Sequence, residues 1–483
     1  MSDILNLDGS GAANTAGEKK ETNMTCPACF AELLAGLELA ATPQFEAAEL
    51  SRIAFSYASP TLTVAVEKSP EVVDENGEKQ WKRVEVTLED HVNVPIFPSG
   101  LSPESYDNYL DEYISKIGME EFAKSRPLWE IHIFKYPTTS APGVLIFKLH
   151  HSLGDGLSLR GALLSCLQRA DDPSLPLTFP SVQLPSHNRN GGNNNSILKI
   201  LPKIFSVVSK TVSDFSWSVT KSTVVEDDKT PIRSGDDGVE FRPINMATMS
   251  FSLDHIKKIK ANVGATLNDV ITGTIFLGTR LYMQEMSKES SKAQSTALVL
   301  LNTRVLRSYK PVKDMVEPNA KTPWGNHFAF LHVSIPPLTD ASSSNPLEFV
   351  FRAQQIINDK KSSLAVYLTG QLLEILKKFR GPEAVAKYIH GTLKNSSMGI
   401  TNLIGPKEKM SLANHPVKGL YFTVVGAPQS ICIAIVSYMG VLRVAVGAEK
   451  GFIDAKRLKS CIEKAFQMML EVVCQKIDQQ STE

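Results

Sequence analysis

Between Asp171 and Gly238 the chain turns to Pro, Ser, Asn and Gly, and the run Arg189-Asn190-Gly191-Gly192-Asn193-Asn194-Asn195 offers no side chain that could fill a core. A stretch of that composition reads as a connection, and its place in a chain of 483 residues divides the molecule into two folding halves. The expected division is a disordered tail over 1–24, a first domain over 25–180, an interdomain linker over 181–240, a second domain over 241–476 and a short tail over 477–483.

Each half alternates strand and helix signals. In the first, Leu62–Val66 and Val84–Leu88 carry the β-branched alternation of strands. Ser102-Pro103 opens a helix through Ile117, with Leu110, Tyr113, Ile114 and Ile117 on one stripe. A strand over Ile131–Phe134 follows, and then Gly143–Leu149, apolar enough to be central in a sheet. In the second half, Met246–Ser252 reads as a strand and a helix starts at Asp254. A strongly apolar helix runs from Leu267 to about Met286, with Asn268 as its N-cap. Leu298–Leu301 and Phe328–Ile335 are strands, and Val417–Val446 reads as a meander turning near Pro428 and at Met439-Gly440. A helix over Asp454–Val473 closes the chain. The fold class is therefore α/β, of the α+β type, with two mixed sheets.

Inside the connection, Ile197, Leu201, Ile204, Val208, Val212, Phe215 and Val219 recur at helical spacing, with Lys199, Lys203, Lys210 and Lys221 opposite. Pro202 breaks or restarts such a helix, which places its start at about Pro202. A basic amphipathic helix of this kind can lie in a membrane interface or pack on its own protein.

Lys plus Arg equals Asp plus Glu at 51 each, which argues against nucleic acid as a partner. Hydrophobic residues at 42% and charged residues at 21% match water-soluble cores. No run approaches the roughly 18 apolar residues of a transmembrane helix, and Met1–Met24 lacks the apolar core of a secretory signal. Six cysteines in so long a chain make no disulfide framework and suggest a reducing setting. Cys26-Pro27-Ala28-Cys29 has metal spacing but no second pair nearby, so no metal is expected.

The apolar strand ends on His150-His151-Ser152-Leu153-Gly154-Asp155-Gly156. A neutral imidazole, with an ordinary pKa of about 6.5, can take a proton from an alcohol at neutral pH. That suits acyl transfer from a thioester, whose leaving group is already good. Asp155 stands where a helix begins, so its carboxylate can accept helix N-terminal amides and pair with an arginine. Gly154 and Gly156 permit a sharp path for the loop.

This segment resembles the HHxxxDG signature of the CoA-dependent acyltransferase superfamily. Further segments resemble the plant-type wax ester synthase/diacylglycerol acyltransferase family: Pro127-Leu128-Trp129-Glu130, Asn268-Asp269-Val270, Asn302-Thr303-Arg304 and Trp324-Gly325-Asn326. The resemblance implies two chloramphenicol acetyltransferase-like domains with a tunnel between them. It implies His151 as the base, with His150, Asp155 and Gly156 completing the catalytic loop. Asn268 and Asp269 become candidates for substrate contact, Asn268 equally so as a plain N-cap. Arg304 is expected to pair with Asp155, and Trp129 and Asn326 to support the site, Trp129 as a core anchor. The oxyanion donor stays open, with Asn268 and Ser437 as candidates.

The implied activity is transfer of a fatty acyl group from acyl-CoA, a substrate rather than a cofactor, to a long-chain alcohol, giving a wax ester. Diacylglycerol as the acceptor is the alternative, since a methylene more or less in an apolar pocket changes discrimination by only about 1–3 kcal/mol. A non-catalytic lipid-binding protein of the same fold is the remaining reading. The expected location is the cytosolic face of the endoplasmic reticulum, peripherally attached, with cytosol or plasma membrane as alternatives.

Overall fold

A nearly continuous apolar strand needs cover on both faces. In the computed structural model, which describes residues 32–40, 68–73, 79–83, 86–123, 125–180, 197–304, 312–315, 320, 322–339 and 345–482, that cover is present. Strands β1 (Glu32–Leu39), β2 (Lys68–Val73), β3 (Lys79–Arg83), β4 (Val92–Asn93), β5 (Trp129–Phe134), β6 (Gly143–His150) and β7 (Gln168–Arg169) lie in the first half. The motif strand β6 runs between β5 and β1, antiparallel to both. Leu145 and Phe147 face a cluster with Trp129, Leu153, Leu159 and Leu163. Val144 and Ile146 face a second cluster with Tyr106, Leu110 and Ile114. Those last three come from α1 (Pro103–Ile117), started by the Ser102 side chain accepting from the Ser105 amide, with proline in the first turn.

The second half supplies β8 (Ile244–Ser252), β9 (Thr296–Asn302), β10 (Phe328–Ser334), β11 (Met398–Ile404), β12 (Met410–Leu412), β13 (His415–Val425), β14 (Ile431–Tyr438) and β15 (Val441–Glu449). One sheet has the order β10-β9-β11-β14-β15-β8, and the other β4-β5-β6-β1-β13-β12-β7. After α1 the helices are α2 (Gly156–Ser165), α3 (Ile197–Thr223), α4 (Leu253–Val263), α5 (Leu267–Met286), α6 (Val312–Met315), α7 (Glu348–Lys361), α8 (Ala365–Arg380), α9 (Pro382–Lys394) and α10 (Ala455–Thr482). Helix α5 is buried along most of its length. It passes so close to α10 that a Cβ on Gly278 would stand 2.5 Å from the Ile462 Cα, which only glycine allows.

Several elements depart from expectation. The meander is split: β13 pairs with β1 and β12 in one sheet, while β14 and β15 form a hairpin in the other. Strand β13 is buried on both faces, with Leu420 and Phe422 in one cluster and Tyr421 and Val425 in another, so it needs a partner on each edge. The first sheet is thus completed by strands from residues 410–425, beyond the expected boundary at 180. The Met439-Gly440 turn does form, with both residues at positive φ as a tight hairpin requires.

Helix α10 extends to Thr482, past the expected end at Val473 and through most of the expected tail, because nothing in Cys474–Thr482 breaks a helix. Helix α3 begins at Ile197, ahead of Pro202. It packs on α8 and α9 and is tied down by buried Lys221, whose Nζ donates to the Asp227 Oδ1 at 2.6 Å. Thr266, not Asn268, caps α5, because the Thr266 hydroxyl accepts from the Asp269 amide while the Asp269 carboxylate accepts from the Thr266 amide. Leu88 belongs to a 3-10 turn, Leu88–Asp90, rather than to a strand. The tail over 1–24, the Cys26–Cys29 pair and the strand expected at Leu62–Val66 lie outside the described residues.

Candidate active site

Strand β6 delivers both histidines at its end, and a 3-10 turn, His151–Leu153, turns the chain at once toward α2. The two rings then part. The His150 Nδ1 accepts from the Ser152 amide at 3.1 Å and lies 2.6 Å from the Ser152 hydroxyl, so the neutral ring carries its proton on Nε2. Burial, with His151 and Lys148 nearby, pushes its pKa down to about 4. His150 therefore stays neutral and locks its own turn.

His151 is half-buried and lines a cavity of about 200 Å³. Burial lowers its pKa below the usual histidine value, although its own main-chain carbonyl, the Asp155 charge and the Asn326 side chain pull the other way. The Phe328 ring stands edge-on against the imidazole, centroids 5.6 Å apart. A neutral imidazole facing an apolar cavity can act as a general base.

Asp155 makes the loop rigid. As N-cap of α2, its Oδ1 accepts from the Ser158 amide at 3.0 Å. Its Oδ2 accepts from Arg304 Nη1 at 2.6 Å and from the His327 amide at 2.9 Å. Burial alone would raise this carboxyl; Arg304 and the two amides outweigh it and hold the pKa below the usual carboxylate range. Arg304 donates also to the Pro323 and Gly325 carbonyls and to the Ser158 hydroxyl. The Trp324 indole N–H donates to the Leu153 carbonyl at 2.7 Å, and the Asn326 amide to the His151 carbonyl at 3.0 Å. Gly154 has to be glycine here, since a Cβ would stand 2.8 Å from the Ser158 Cβ.

The cavity lies between the halves. From the first come His151, Asp155, Gly156, Leu157, Arg160 and Phe179; from the second come Leu300, Leu301, Asn302, Phe328, Asn402 and Leu403. Gly156 keeps it open beside Leu403, whose Cδ2 is 3.4 Å from where a Cβ would sit.

The structure brings Asp155, Arg304 and Asn326 together around His151. It holds the Asp269 side chain, buried, in its capping box and away from the cavity lining. Asn268 is exposed, and its Oδ1 accepts from Asn402 Nδ2 at 2.8 Å, one residue removed from the cavity. Trp129 is a core side chain stacked on His91, centroids 4.2 Å apart. Ser437 lies on β14 outside the cavity lining. Sequence reasoning missed Ser158 and Phe328. Ser158 could have been found as the third residue of a helix capped by Asp155; Phe328 is brought in only by the pairing of β9 with β10.

Two mixed sheets meeting at a motif histidine define a class, the acyltransferase and condensation fold. The wax ester synthase/diacylglycerol acyltransferase from Marinobacter aquaeolei VT8 superposes with a TM-score of 0.56 at 15% identity, covering 92% of this chain and 94% of that one. The first condensation domain of the calcium-dependent antibiotic synthetase, in complex with a substrate analogue, gives 0.53 at 12% identity, covering 92% and 91%. Within that class, residues 33–271 match the wax ester synthase/diacylglycerol acyltransferase catalytic domain, and residues 324–470 the WS/DGAT C-terminal domain. Wax ester synthase/diacylglycerol acyltransferase 4 of Arabidopsis thaliana is 30% identical over 396 residues, 78% of this chain and 75% of that protein. The chain belongs to the wax ester synthase/diacylglycerol acyltransferase family and is an acyltransferase.

Proposed function

We propose that the protein transfers a fatty acyl group from acyl-CoA to a long-chain primary alcohol, forming a wax ester, with His151 as general base. The observation that carries this reading is the neutral imidazole on a cavity walled by Leu300, Leu301, Met315, Phe328, Leu403 and Ile404. Apolar walls suit alkyl chains and exclude water that would hydrolyse the thioester. His151 takes the hydroxyl proton as the alcohol oxygen attacks the thioester carbon. The tetrahedral intermediate then collapses, the C–S bond breaks, and the same proton passes to the CoA sulfur. The test is to incubate purified protein with palmitoyl-CoA, a set of fatty alcohols and diacylglycerol, and to measure esters against free CoA. Wax ester formed in step with CoA is the expected result. Triacylglycerol alone would move the acceptor to diacylglycerol, and binding without ester would leave a lipid carrier.

Peripheral attachment to the cytosolic face of the endoplasmic reticulum belongs to the same proposal. Its support is α3, where Phe205, Val208 and Val212 are 75%, 54% and 57% exposed along one face. The Leu364 amide donates to the Thr211 hydroxyl, which sets exposed Leu364 beside that face. Among the described residues no helix is long and apolar enough to cross a membrane. Replacing Phe205, Val208 and Val212 together by Glu is expected to release the protein from anionic phospholipid vesicles in a flotation assay. Continued flotation would place the contact elsewhere.

A further inference from the structure

We infer that Asn302 is the oxyanion donor, presenting its carboxamide N–H2 to the acyl carbonyl oxygen across the cavity from His151; this rests on the reading of His151 as the base. Asn302 ends β9, and its Cα partner in the antiparallel pair is Phe328. Paired residues of this kind project to the same face with Cβ atoms about 4.5–5.5 Å apart. The Phe328 ring in turn stands 5.6 Å from the His151 ring. The Asn302 side chain is thereby set one aromatic ring away from the base, and both Asn302 and His151 line the same cavity.

The orientation of the carboxamide is fixed as well. The Arg304 amide donates to the Asn302 Oδ1 at 2.9 Å, and an amide N–H needs an acceptor, so oxygen and nitrogen cannot be exchanged. Among the described residues the Asn302 Nδ2 has no partner, which leaves two donors for a ligand. Two of its polar neighbours in the lining are engaged elsewhere. Both Asp155 oxygens accept from protein donors, and the Asn402 Nδ2 donates to Asn268. Arg304, which orients Asn302, is the residue locked onto Asp155, so one rigid unit holds the base loop and the donor in register.

During the reaction the alcohol oxygen bonds to the thioester carbon, the hydroxyl proton goes to His151, and the carbonyl electron pair moves onto oxygen. The Asn302 N–H groups stabilise that oxyanion until the C–S bond breaks and His151 returns the proton to the sulfur. A donor already oriented toward the developing charge stabilises it without reorganisation at the moment of reaction.

Asn302→Asp separates this role from a structural one. The carboxylate still accepts from the Arg304 amide, but both donors are gone and a like charge faces the oxyanion. The expected result is a fall in kcat of about 10²–10³, with KM for acyl-CoA and the melting temperature unchanged. Asn302→Ser, whose hydroxyl can also accept from the Arg304 amide, is expected to show the same split if the aspartate variant folds poorly. An aspartate or serine variant that is folded and turns over within about threefold of the parent would overturn the assignment. Parallel assays of His151→Ala distinguish the two readings. Active Asn302 variants beside an inactive His151→Ala remove only Asn302, whereas an active His151→Ala removes the base reading on which it rests.

Discussion

His151→Ala lowers kcat by about 10²–10⁴ and leaves the fold intact. The loss is specific to the transition state, because the ground-state alcohol and thioester need no proton acceptor and the imidazole is required only as the O–H bond breaks. The fall should therefore appear equally in kcat and kcat/KM, with little change in KM for acyl-CoA. Stability should move by less than about 1 kcal/mol, since the ring is half-buried on a cavity and packs chiefly against Phe328. The hydrogen bond from Asn326 reaches the main-chain carbonyl of His151 and survives the substitution. Steady-state assays paired with thermal melts check both halves of this expectation.

Arg304→Ala is expected to be the most damaging substitution for the fold of the site, costing about 3–5 kcal/mol by urea denaturation at neutral pH. The guanidinium and the Asp155 carboxylate are buried together, with side chains 1% and 7% exposed, and removing one partner leaves a charge uncompensated. The sign of the pH dependence changes with it. In the parent, the Asp155 pKa is depressed, so its contribution is present above the unfolded value near 3.8 and is lost as pH falls through the folded value. Without Arg304 the burial contribution, which raises the pKa, prevails, and the carboxyl prefers to be protonated in the folded state. The variant should then gain stability relative to the parent as pH falls from neutral into the carboxylate range. A constant difference between the two across that range would contradict the ion-pair explanation.

What could be read from the sequence follows a physical line. Local signals survived folding: Ser102-Pro103 starts α1, the apolar run Gly143–Leu149 is a central strand, and Met439-Gly440 is a hairpin turn. Asp155 stands at a helix start because N-capping depends only on its near neighbours. The cap of α5 was legible in principle, since Thr266 followed three residues later by Asp269 is a capping box, and the neighbouring Asn268 competed for the same role. Strand pairing was not legible. Glu32 pairs with Val425 across almost the whole chain, and no local pattern of β13 says that it belongs with β1 rather than β14. The cavity is the product of such pairings, which set Phe328 and Asn302 side by side before His151. Motif residues could be named from the chain, whereas the walls that give them a substrate could not.

The pH dependence of kcat/KM tests the central claim most directly, because it reports the protonation of the free enzyme's base. A base is active when neutral, and burial holds the His151 pKa below its ordinary 6.5. The rate should stay level through neutral pH and fall on acidification with a midpoint under 6.5, and this limb should vanish in the residual activity of His151→Ala. A profile whose acid limb is unchanged in His151→Ala would show that the proton is taken by another group.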